Sequence, residues 1–133
     1  MKINADTNIL VRAITGDDPV QSKIAKAELK RAEAVVLTIP TLCELVWVLA
    51  RGYKIRGEDV ASAIRRLIDS DNVVVNRPAA EAGLSLLAAG GDFADGAIAY
   101  EGRWLGSVMF VSFDQAAVAL LRAHSQPARS AEA

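Results

Sequence analysis

Short runs rich in β-branched residues alternate with longer segments of helical spacing along the whole chain, and no other feature limits the fold so tightly. Strands separated by helices in this rhythm give a mostly parallel central sheet flanked by helices, an α/β/α sandwich. Residues 2–5 read as a strand and 8–14 as a short helix, closed by the turn-forming run Gly16-Asp17-Asp18-Pro19. A helix over about 19–32 leads to the strand Ala34-Val35-Val36-Leu37-Thr38, and Pro40 suits the opening of the next helix, about 41–53. There Leu42, Leu45, Val46 and Leu49 form one apolar stripe at i, i+3, i+4 and i+7, with Trp47 and Val48 off it.

Gly57-Glu58-Asp59 starts a helix in which Val60, Ile64, Leu67 and Ile68 keep that spacing, and Val73-Val74-Val75 is a short buried strand. A helix runs from Pro78 through Leu87 and ends at Gly90-Gly91. Another follows Asp92-Phe93-Ala94-Asp95 to about Leu105, then a strand Val108-Met109-Phe110-Val111 and a final helix over about 115–123. The 133 residues suit one domain spanning 1–123, and residues 124–133 have too little to bury and are expected to be disordered. The N-terminus lacks a long apolar run, and no stretch approaches the roughly 20 apolar residues of a membrane span. A cytoplasmic location without membrane association is therefore expected.

The acids collect where strands end. Asp6 directly follows the first strand and Asp114 the last, and each precedes a helix, which brings both to the carboxyl edge of the sheet. Either could equally cap its helix, since Asp is a favoured N-cap residue. Asp92 and Asp95 stand three apart where a helix begins, so a regular first turn projects both from one face. Glu44 differs in kind, because it lies early in a strongly apolar helix. A carboxylate there needs a cation, a hydrogen-bond network or an exposed edge.

Carboxylates brought together repel and raise one another's pKa unless a cation neutralises them. Mg²⁺ or Mn²⁺ fits such oxygen donors, and Mg²⁺ takes only one or two carboxylates along with water and substrate phosphate. The single histidine, His124, and the single cysteine, Cys43, leave no zinc set, no internal disulfide and no Ser-His-Asp or Cys-His triad. The formal net charge of −1 argues against coating nucleic acid through bulk electrostatics. Lys23, Lys26, Lys30 and Arg31, and separately Arg51, Lys54 and Arg56, read as solvated helix faces with local nucleic-acid binding as the rival. What remains is metal-assisted chemistry on phosphates.

Asp6-Thr7-Asn8 after the first strand, Glu44 early in the third helix, Phe93-Ala94-Asp95 opening a late helix and Ser112-Phe113-Asp114 after the last strand together resemble the PIN-domain ribonucleases. Within them the similarity is to the VapC toxins of prokaryotic toxin–antitoxin pairs, and it runs from about residue 2 to 122. The resemblance implies a Mg²⁺- or Mn²⁺-dependent endoribonuclease whose acidic quartet is Asp6, Glu44, Asp95 and Asp114. Asp6, Asp95 and Asp114 would hold the metal, and Glu44 would complete the set or orient the attacking water. Asp92, Asn8 and Ser112 would support them, although many relatives carry threonine where Ser112 stands. It also implies an RNA substrate, a homodimer and a small antitoxin protein as inhibitor, through which any DNA contact would run.

Three other readings are weaker. A haloacid-dehalogenase-like phosphatase pairs its first-strand Asp with a second Asp two residues on, and here that position is Asn8. A phospho-receiver needs a late lysine, and none follows Lys54. A degenerate binding module would not be expected to retain all four acids. Trp47, with Tyr53 nearby, is either a core residue or the anchor of a partner groove.

Overall fold

The computed structural model describes residues 1–132, and Ala133 lies outside them. The chain divides into two compact units, Met1–Asn76 and Arg77–Ala133. In the first, three short apolar strands, β1 (Lys2–Asn4), β2 (Ala34–Leu37) and β3 (Val73–Val75), form a sheet in the order β1-β2-β3. Both pairings are parallel, with Asn4 opposite Val36 and Leu37 opposite Val75. Alternation along β2 buries Val35 and Leu37 while Ala34 and Val36 are half-buried.

Helices α1 (Thr7–Thr15) and α2 (Pro19–Arg31) meet at a turn whose chemistry is local. Gly16 adopts a left-handed φ of 65°, which costs glycine nothing and stops α1. Asp18 then caps α2 by accepting from the Gln21 N–H at 3.0 Å, with Pro19 in the first turn. Thr38 caps α3 (Ile39–Trp47) in the same way through the Thr41 N–H. The expected stripe is buried, with Leu42, Leu45 and Leu49 fully so, and Val60, Ile64 and Ile68 of α4 (Gly57–Ile68) join that core. Trp47 is 62% exposed, which removes the core reading for this residue.

The segment read as one helix to residue 53 changes geometry before its end. Val48–Gly52 forms a π-helical turn, closed by the Tyr53 N–H donating to the Val48 carbonyl at 3.2 Å. Such turns insert one extra residue into a helix and recur at functional sites.

The second unit contains α5 (Arg77–Ala88), α6 (Phe93–Trp104), β4 (Phe110–Ser112), α7 (Gln115–Ala123) and β5 (Ala128–Ser130). Helices α5 and α6 approach so closely that only glycine fits at two positions. A Cβ on Gly96 would collide with the Ala82 carbonyl, and one on Gly83 would lie 2.6 Å from the Phe93 ring. Leu86, Ala99, Val118, Leu121 and Ala128 make a shared core, against which Phe110 packs.

Three expectations are corrected here. Val73–Val75, expected as a buried strand, lies at the edge of its sheet, with Val74 exposed and Val73 and Val75 only half-buried. Val108 and Met109 are exposed and precede the strand, which starts at Phe110. The tail expected to be disordered carries β5, paired parallel with β4 so that Phe110 faces Ala128 and Ser112 faces Ser130. Burial of Ala128, with its carbonyl accepting from Arg122 Nε at 2.7 Å, supplies the anchoring that the tail's composition hides. All strand pairings are parallel, so the α/β class read from the alternating pattern holds. Among the described residues no helix is long and apolar enough to cross a membrane.

Candidate active site

Each unit presents acids at the carboxyl ends of its strands. Asp6 occupies the N-cap position of α1 with extended backbone, yet its carboxylate makes no capping hydrogen bond. Instead it lines a cavity of about 330 Å³ together with Asn8, Arg12, Glu44 and Tyr53. Asp6 and Glu44 are both exposed, so Glu44 reaches water from its apolar helix and needs no buried partner. Val48 lies one turn beyond Glu44, and the π-helical turn that starts there carries the chain to Tyr53 on the same cavity.

Arg12 is held in this wall by three neighbours. Its Nη1 donates to both carboxylate oxygens of Asp17, at 2.9 and 3.0 Å, and its Nε donates to Gln21 Oε1 at 2.8 Å. The Tyr53 hydroxyl donates to Asp17 at 2.7 Å and accepts from Arg12 at 3.4 Å. Hydrogen bonds from Tyr53 and then Thr15 lower the Asp17 pKa to about 2, opposed by desolvation and aided by the Arg12 guanidinium.

In the second unit Asp92, Asp95 and Asp114 line one cavity of about 250 Å³ with Leu86, Gly90 and Leu120. Asp92 caps α6 through the Ala94 N–H at 3.1 Å, and Asp114 caps α7 through the Ala117 N–H at 3.0 Å. Ser112 sets the approach to that cap, its hydroxyl accepting from the Asp114 N–H at 3.0 Å. Asp95, in the first turn of α6, is half-buried. Burial first, then the charges of Asp92 and Asp114, push its pKa above the usual carboxylate range.

The structure therefore brings Asp6 together with Glu44 and Asn8, and Asp95 with Asp92 and Asp114, while Ser112 bonds directly to Asp114. Among the described residues no three Asp, Glu, His or Cys side chains lie close enough to cage one ion. The donor chemistry still suits a hard cation. Every candidate ligand is a carboxylate, Mg²⁺ requires only one or two of them, and the mutual repulsion on Asp95 is the kind a cation relieves. His124 is exposed, its Nδ1 against the Leu120 carbonyl.

Sequence reasoning missed Arg12 and Asp17 as parts of this wall, and gave Tyr53 only a partner-binding role. The available signal was one arginine within the apolar run Ile9-Leu10-Val11-Arg12-Ala13-Ile14. The family model that matches the chain, over residues 3–124, is described as PIN domain. No curated protein matches it.

Proposed function

The chain belongs to the PIN-domain family, whose members are generally metal-dependent nucleases, and from that premise we propose that it is a Mg²⁺- or Mn²⁺-dependent endoribonuclease. In this reading it is the VapC-type toxin of a toxin–antitoxin pair, forms a homodimer and is inhibited by a cognate antitoxin protein. The observation that carries the catalytic part is the idle carboxylate of Asp6. It stands where a helix cap belongs, caps nothing, and faces a cavity it shares with Glu44.

By the family's motif, Asp6, Asp95 and Asp114 are the residues that would hold the metal, and Glu44 the one that completes the set or orients water. The chemistry such an ion supplies when bound is an activated water at neutral pH and relief of charge on the leaving oxygen. Asp114 commits Oδ1 to the cap of α7, which fixes its rotamer and leaves Oδ2 uncommitted. Asp92 does the same at α6 and holds negative charge against Asp95. Glu44, exposed on the same cavity as Asp6, can accept a hydrogen bond from the attacking water and orient it. Trp47, exposed on α3, is the aromatic offered to the antitoxin.

The test is cleavage of single-stranded RNA by the folded wild-type protein and by Asp6→Asn, each in Mg²⁺, Mn²⁺ and EDTA. Wild-type turnover should need the metal, and Asp6→Asn should lose about a hundred- to a thousandfold in rate, the scale on which one lost charge-stabilising group acts. A folded Asp6→Asn protein that cleaves at the wild-type rate refutes the assignment. Absence of wild-type turnover in both metals would identify a binding module instead.

A further inference from the structure

A second cavity, of about 420 Å³, adjoins the acid-lined one along α1 and is lined by Asn8, Ile9, Arg12, Gln21, Ile24 and Ala25. Asn8 and Arg12 belong to both linings. We propose that this second cavity is a nucleotide subsite for the RNA strand, in which Arg12 Nη2 holds the phosphate next to the one presented to Asp6 and Glu44. The inference rests on the nuclease reading above and adds the path of the substrate.

Three features carry it. The first is the unused half of the guanidinium. An arginine that only braces a carboxylate ordinarily pairs two of its nitrogens with the two oxygens, whereas here Nη1 alone takes both oxygens of Asp17. Nε is taken by Gln21, and Nη2 has no hydrogen-bond partner among the described residues. A rigidly held guanidinium with free donors is a pre-organised anion site, because its rotamer entropy is already spent in the folded protein.

The second feature is the lining. Gln21 gives its amide oxygen to Arg12, so its amide N–H₂ is left to donate, and Asn8 offers a second amide. Ile9 and the exposed Ile24 supply apolar surface for the face of a base. One cation, two amides and two aliphatic walls match the phosphate, edge and face of one nucleotide. The third is size. Small-ligand sites occupy about 300–1,000 Å³, and this cavity falls in that range.

Steady-state cleavage of a ten-nucleotide single-stranded RNA in Mg²⁺, at several salt concentrations, tests the proposal with the full-length protein. Arg12→Gln should raise KM about tenfold, the worth of one charge-assisted hydrogen bond, and far more than it lowers kcat. The salt dependence of kcat/KM should become shallower by about 0.7 in log–log slope, the contribution of one phosphate contact on a single strand. Arg12→Lys should restore the slope. Asp17→Asn loosens the anchor but keeps the guanidinium, so it should also retain the slope. Ile24→Trp, which fills the cavity from an exposed position on α2, should raise KM without touching the Arg12 network. An Arg12→Gln protein with wild-type KM and slope overturns the subsite while leaving the nuclease reading intact, and equal loss of slope in Asp17→Asn assigns Arg12 a bracing role and overturns it too. A wild-type protein that cleaves no RNA fails the nuclease reading itself, and the subsite falls with it.

Discussion

The two units place carboxylates at strand ends under opposite electrostatic conditions. In the first unit Asp6 and Glu44 share a wall with Arg12, whose guanidinium is fixed by Asp17 and Gln21, and both acids are exposed to water. In the second, three carboxylates line one cavity with no Lys or Arg on it among the described residues, and Asp95 is half-buried. One arrangement has its counter-charge built in. The other leaves repulsion uncompensated, which a stability-driven sequence would avoid and a cation-binding one can tolerate.

The contrast can be broken at several points, and the largest expected effect concerns how the acids are held. Asp92 and Asp95 ride on α6, whose seat on α5 depends on the Gly96 contact with the Ala82 backbone. Gly96→Ala forces two helix backbones apart and should cost about 1–3 kcal/mol in denaturant unfolding. If it proves neutral, α6 is not locked and its acids are not positioned by packing.

A smaller effect separates the two strand-end aspartates. Asp114→Ala removes a true cap and should destabilise by about 1 kcal/mol. Asp6→Ala removes none and should stay within about 0.5 kcal/mol of wild type, as surface changes do. Equal costs in thermal unfolding would erase the distinction on which the role of Asp6 rests.

The smallest effect is a difference in sign with pH. Asp17 has a pKa lowered from 3.8 to about 2, so its folded state favours the charged form. The stabilisation is present above pH 3.8 and is lost as pH falls toward 2. Asp95 has its pKa raised above 3.8, so its folded state favours the proton, and stability falls as pH rises from 3.8 through that raised value. In metal-free buffer, melting temperatures of Asp17→Asn and Asp95→Asn against pH should therefore depart from wild type in opposite directions. Departures of the same sign would remove the electrostatic contrast between the units.

Much of this was legible because it depends on local period and composition. The stripe through Leu42, Leu45 and Leu49 and the placing of Asp6 and Asp114 after strands follow from helical spacing and from the order of strands and helices. What escaped depends on contacts distant in sequence. Tyr53 meets Asp17 across 36 positions and Arg12 across 41, a meeting that needs the Gly16 turn and the π-helical turn together. β5 escaped for another reason. Three residues show no period, and Ala128–Ser130 becomes a strand only by pairing with β4. Glu44 left several outcomes open until the exposed side of α3 was known.

The π-helical turn at Val48–Gly52 also separates two kinds of constraint on the chain. An α-helix advances 3.6 residues per turn, so a continuous helix would tie the facing of Tyr53 to that of the buried Leu42, Leu45 and Leu49. One extra residue breaks that phase relation. Substitutions upstream answer to core volume and those at Tyr53 to the cavity wall, so the two stretches are free to vary at different rates. Deleting a single residue from the turn would couple them again.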